Sequence, residues 1–187
     1  MRPVPPLVSL ARRHAADTGF TRSCTDGHGR LMAALAAGAE SVGEAGTGCG
    51  VGTAWLRSGL RDGGRITTVE LDAERAAFAA SLFADDQAVT VLSDDWRALF
   101  RHAPFDLLFL DGGGGSAEID VVVDLVRPGG TVVLDDFSPN ADWPRRFQGA
   151  VDEPRMTWLT DPRFAAVEVG TDPDPAPHTV AIVATRR

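Results

Sequence analysis

The chain is 187 residues long, carries a formal net charge of −8 and is 44% hydrophobic. That length suffices for one domain, burying roughly 70% of the unfolded surface. The acidic balance argues against a nucleic-acid partner, because phosphate binding needs a basic face. No apolar run approaches membrane-spanning length, so no membrane helix is expected. All 18 basic residues are arginine, tyrosine is absent, and the two cysteines, Cys24 and Cys49, are too few for a disulfide framework. The apolar patch Leu7-Val8-Ser9-Leu10-Ala11 is too short, and too soon broken by Arg12-Arg13, for a secretion signal, so the expected location is cytoplasmic.

In chain order, 7–18 reads as an amphipathic helix with Leu7, Leu10, Ala11 and His14 on one stripe. A polar turn at 21–28 precedes a second helix over 29–37. Strands and helices then alternate: strand at 41–45, helix to 58, strand at 65–70, helix over 73–84, strand at 89–92, short helix over 95–100, strand at 105–110, helix over 117–126 and strand at 131–135. The strands are apolar throughout, as in a parallel sheet covered on both faces, and the alternation implies right-handed βαβ units. Residues 142–153 form a lid or short helix, and 164–169 and 179–185 read as two last strands in an antiparallel hairpin. The expectation is an α/β, Rossmann-like, seven-stranded, mostly parallel sheet with an antiparallel last strand and helices on both faces. One domain spans 1–187, with N-terminal helices over 1–38 and the core over 39–187.

The densest signal is Glu44-Ala45-Gly46-Thr47-Gly48-Cys49-Gly50-Val51-Gly52-Thr53, with glycine at every second position from 46 to 52. Such a loop brings backbone close to a ligand and aims the N–H groups of a helix start at it. A dinucleotide fingerprint would need glycine or alanine at position 51, 53 or 55, where valine, threonine and tryptophan stand. The carboxylate of Glu44 just before the loop suits a ligand carrying a cation. A second acid, Glu70, ends the next strand 18 positions beyond Gly52; an acid there can hydrogen-bond ribose hydroxyls. Asp72 reads instead as a helix cap.

These features together resemble the cofactor motif of class I S-adenosylmethionine (SAM)-dependent methyltransferases. The resemblance implies cofactor contacts by Glu44, Gly46, Thr47, Gly48, Gly52, Glu70, Leu71 and Asp111. It puts Asp94 or Asp95 near the adenine amine and Trp96 on its face. Phe105-Asp106-Leu107-Leu108-Phe109-Leu110-Asp111 and the strand ending at Asp135-Asp136 look like strands four and five of catechol O-methyltransferase-like enzymes, and the likeness runs over about 20–140. That family places the last strand antiparallel between strands five and six. Its members hold Mg²⁺ on carboxylates at the positions of Asp111, Asp135 and Asp136, and are often dimers, so Mg²⁺ and a homodimer enter as expectations.

The chain departs from that family where a lysine general base belongs: Gly114 stands there, and no lysine occurs elsewhere. His28, in Thr25-Asp26-Gly27-His28, is the next candidate base by its pKa range. His14, His102 and His178 read as structural. The expected activity is SAM-dependent O-methylation of a small hydroxylated acceptor, with a metal lowering the hydroxyl pKa. A metal-free N- or C-methyltransferase and a non-catalytic binder of SAM or S-adenosylhomocysteine (SAH) stay open as alternatives.

Overall fold

The computed structural model describes residues 3–112, 118–171 and 179–187, and Asp136 by its backbone alone. Gly114, His178 and the side chain of Asp136 thus lie outside the described residues. Helices α1 (Pro6–Asp17) and α2 (Asp26–Ala36) precede β1 (Ser41–Ala45), α3 (Val51–Gly59), β2 (Arg65–Glu70), α4 (Ala73–Leu82), β3 (Val89–Ser93), a 3₁₀ helix (Trp96–Arg101) and β4 (Phe105–Leu110). There follow α5 (Ile119–Val122), a 3₁₀ turn (Val123–Leu125), β5 (Val126–Phe137), the short strands β6 (Arg146–Phe147) and β7 (Ala150–Val151), α6 (Glu153–Thr160), β8 (Phe164–Gly170) and β9 (Val180–Arg186).

The main sheet has seven strands in the order β3-β2-β1-β4-β5-β9-β8. Neighbours from β3 to β5 are parallel, and β9 runs antiparallel to both β5 and β8, as the sequence led us to expect. Side chains alternate across β4 between two cores. Leu107 and Phe109 join Val8, Met32, Trp55, Leu56 and Ile66 on the face covered by α1, α2 and α3. Leu108 and Leu110 join Trp96, Leu99, Leu125 and Trp158 on the other. The strand order reverses between β1 and β4, and ligands of open α/β sheets bind outside the carboxyl ends of the strands at such a switch point. No helix among the described residues is long and apolar enough to cross a membrane.

Four local expectations are corrected. The buried stripe of α1 is Val8, Ala11 and Ala15, while Leu10 is exposed; His14 instead stacks on Phe78 of α4 with ring centroids 3.4 Å apart. The short helix expected over 95–100 is 3₁₀ rather than α. The helix expected over 117–126 is a single α turn, because the Val121-Val122-Val123 run disfavours helix and Val126 already pairs with Phe105, extending β5 back over the expected Arg127-Pro128-Gly129-Gly130 turn. Residues 142–153 form neither a helix nor a simple lid. They hold the β6–β7 hairpin, and helix α6 then starts at Glu153, capped by Asp152 accepting from the Arg155 N–H.

Candidate functional site

At the switch point lies a cavity of about 520 Å³, within the range of small-molecule sites. Its wall includes Gly46, Thr47, Gly48, Cys49, Val51 and Gly52 from the loop after β1, Glu70 and Leu71 from the end of β2, Asp94, Asp95 and Trp96 after β3, and Asp111 and Gly112 after β4. The loop follows β1 because Gly46 and Thr47 donate their N–H groups to the Val69 carbonyl, at 2.9 and 3.1 Å. Gly50, in the left-handed region at φ 84°, turns the chain into α3.

Glu70 is the carboxylate the fold orients into this cavity. Its Oε2 accepts from the Gly48 N–H at 2.7 Å, and its Oε1 from the Asp72 N–H and Arg75 Nη2, both at 2.9 Å. A carboxylate has about four lone-pair sites, so Oε2 retains room for a ligand hydroxyl. Leu71 is 77% exposed and covers one side of that position. Asp72 caps α4, accepting from the N–H groups of Glu74 and Arg75. Farther along the wall, the Asp94 N–H donates to the Glu70 carbonyl at 3.1 Å, and Asp95 caps the 3₁₀ helix through the Arg97 N–H. The Trp96 ring is buried against the core and lines the same cavity.

Glu44 does not reach the cavity wall. It is 0% exposed, beneath the loop, where its Oε2 accepts from Thr53 and, at 2.6 Å, from Thr68. Thr68 in turn meets the hydroxyl of Thr47, a wall residue, at 2.5 Å. Glu44 therefore ties β1, β2 and the start of α3 together behind the ligand space. Burial moves its pKa from 4.5 up to about 7, opposed by the two threonine hydrogen bonds and reinforced by Glu70. Gly52 is required here: a Cβ would stand 2.4 Å from Glu44 Oε1.

His28 is 2% exposed and is absent from the wall. Its Nδ1 lies 2.9 Å from Asp135 Oδ1 and 3.4 Å from Thr179 Oγ1, so the ring clamps the start of α2 to the ends of β5 and β9. It also engages one of the three carboxylates expected to hold Mg²⁺. Among the described residues no three His, Cys, Asp or Glu side chains come close enough to hold a metal ion. The side chain of Asp136, one of the donors expected for Mg²⁺, lies outside the described residues, and no step below is routed through a metal.

Several wall residues carried no sequence signal: Phe20, Arg22, Ser23 and Cys24 before α2, and Arg75, Arg97 and Glu118. The last two pair at 2.8 Å across the cavity, with Arg97 over the Trp96 ring. Cys24 is buried near Asp111, Asp135 and Glu44, and burial first and these charges second push its thiol pKa well up, so it is no nucleophile.

Residues 44–137 match the family model described as a methyltransferase domain. Candidate O-methyltransferases from Mycobacterium sp. (strain JLS) and Mycolicibacterium vanbaalenii are 32% and 31% identical over 139 residues, covering 68% of this chain. The aligned region spans 63% and 61% of those relatives' own lengths. Among solved structures, the O-methyltransferase from Bacillus cereus in complex with SAH has a TM-score of 0.80 at 22% identity, covering 100% of this chain and 93% of that one. The O-methyltransferase TomG from Streptomyces achromogenes, involved in tomaymycin synthesis and in complex with SAM, has a TM-score of 0.77 at 20% identity, covering 99% and 92%. With a glycine loop and Glu70 meeting at the switch point, and the family model matching from Glu44 to Phe137, this chain belongs to the methyltransferase-domain family.

Proposed function

We propose that this chain binds SAM in the switch-point cavity and transfers its methyl group to a hydroxyl oxygen of a small acceptor. The observation that carries this is Glu70: a buried carboxylate held by the Gly48 N–H and Arg75 on the cavity wall, with acceptor capacity left for a ribose hydroxyl. The names of the relatives support oxygen as the acceptor atom. Bound there, the cofactor would supply the methyl group of its sulfonium to the acceptor oxygen and leave as SAH, and the hydroxyl's proton would pass to solvent. The chain contributes orientation and exclusion of water. Thr47, Gly48 and Gly52 fix the backbone beside the ligand, Glu70 and Leu71 hold the ribose, and Asp94, Asp95 and Trp96 border the adenine. Asp111 stands at the end of β4, next to the loop.

The test is ligand binding to the purified protein. SAH at about a hundred times Kd should stabilise it by roughly 2.7 kcal/mol, raising the melting temperature by about 5–11 °C. Glu70→Ala should remove most of that shift. The absence of any shift with both SAM and SAH would sink the proposal, whereas an unchanged shift in Glu70→Ala would sink only the role of Glu70.

A further inference from the structure

Resting on the proposed SAM site, we infer that Glu44 makes this site favour the sulfonium of the donor over the neutral thioether of the product, by ionising when a cation enters the cavity and keeping its proton when none does. The Glu44 carboxylate is fully buried and makes no ion pair among the described residues. Its Oε2 accepts from the hydroxyls of Thr53 and Thr68, and its Oε1 has no hydrogen-bond partner among the described residues. A buried carboxylate either finds a counter-ion or gives up its charge. The nearby arginines are engaged elsewhere: Arg75 with Glu70 at 2.9 Å, Arg97 with Glu118 at 2.8 Å and Arg57 of α3 with Asp86 at 2.5 Å. Burial accordingly lifts the Glu44 pKa to about 7, so its charge is balanced on the presence of a cation.

The carboxylate lies directly behind the cavity wall. Gly52 lines the cavity, and a Cβ added there would stand 2.4 Å from Glu44 Oε1. Thr68 bridges Glu44 Oε2, at 2.6 Å, to the wall residue Thr47, at 2.5 Å. In the sheet, Glu44 stands in register with Thr68 of β2 and Phe109 of β4. The titratable groups facing this region are Glu70 of β2, Cys24 before α2, Asp111 after β4, and Asp135 of β5 with His28 of α2 on it. All of them are shared by wild type and a Glu44 variant. Opposite charges about 10 Å apart at an effective dielectric constant of about 20 change affinity roughly tenfold or more. The donor therefore drives a proton from Glu44 to solvent on binding. Loss of the sulfonium charge in methyl transfer lets Glu44 take a proton back from solvent, which weakens the hold on the product.

The experiment titrates wild-type and Glu44→Gln protein calorimetrically with SAM and with SAH at about pH 5.5, 6.5 and 8, in buffers of low and high ionisation enthalpy. In wild type the ratio of the SAH to the SAM dissociation constant should rise about fivefold or more from the lowest pH to the highest. Near pH 6.5, SAM should release roughly half a proton more than SAH does. In Glu44→Gln the ratio should stay flat and the two proton counts should agree. A flat ratio in wild type, or an equal rise in both proteins, overturns the inference, while binding itself still upholds the cofactor site. If Glu44→Gln does not fold, the wild-type proton counts decide alone, and equal counts for SAM and SAH overturn it. Failure of wild type to bind either compound overturns the cofactor proposal and this inference with it.

Discussion

Replacing Glu44 by glutamine should flatten the fall of stability with pH in the ligand-free protein. The carboxylate is 0% exposed, Oε1 has no partner, and burial raises its pKa from 4.5 to about 7. Because the folded value lies above the unfolded one, the folded chain keeps a proton that the unfolded chain has lost at intermediate pH. Stability therefore falls as pH rises from about 4.5 to about 7, and the loss is complete above that window. At ~1.36 kcal/mol per pH unit the whole loss is about 3 kcal/mol. For a chain of this size that corresponds to roughly 6–12 °C in melting temperature. Glutamine keeps an oxygen for Thr53 and Thr68 and cannot titrate. Thermal melts of both proteins at pH 5, 6, 7 and 8, at constant ionic strength and without SAM or SAH, isolate the effect, since all other titrating groups are common to the two. The wild-type curve should drop relative to the variant by about that amount between pH 5 and 8. Parallel curves would refute the reasoning, showing that the buried carboxylate does not titrate near neutrality.

Gly52→Ala should destabilise the protein by about 1–3 kcal/mol in urea unfolding, because the new methyl would meet Glu44 Oε1 and the Phe109 ring; the double variant Gly52→Ala, Glu44→Ala should recover part of it. His28→Gln should cost about 1–3 kcal/mol of stability, because the amide only in part replaces the imidazole's hydrogen bond to Asp135. SAH affinity should hold, and a kcat lowered about a hundredfold with stability intact would instead make His28 the general base. Arg155, 1% exposed, bonds the Ser138 carbonyl and Glu168, which Arg145 also holds, so Arg155→Met should cost about 1–3 kcal/mol in chemical denaturation. Adding Glu168→Leu also strips Arg145 of its partner and should lower stability further, whereas recovery would show that Arg155 and Glu168 act as an isolated pair.

What the amino-acid sequence determined about this protein is what depends on neighbours in the chain. The bounds of β2 follow from a β-branched run ending at Glu70, and those of β4 from a mainly apolar run stopped by Asp111. The loop from Gly46 to Gly52 and its meeting with Glu70 follow from spacing, since a parallel β1–β2 pair sets both carboxyl ends side by side. Tertiary structure decided what depends on partners distant in the chain. The charge of Glu44 is visible in sequence, but its burial behind the loop, where the hydroxyls of Thr53 and Thr68 donate to it, is seen only in the fold. His28 stood in the sequence as a lone histidine, and only the fold shows Asp135 of β5 2.9 Å from it. Arg22 carried no motif, and only the packing of Phe20 on Gly48 places it on the cavity wall. Periodicity reports which face of an element is apolar, but the identity of a cross-chain partner is set by the fold as a whole, and with it whether a charge is spent on structure or left for a ligand.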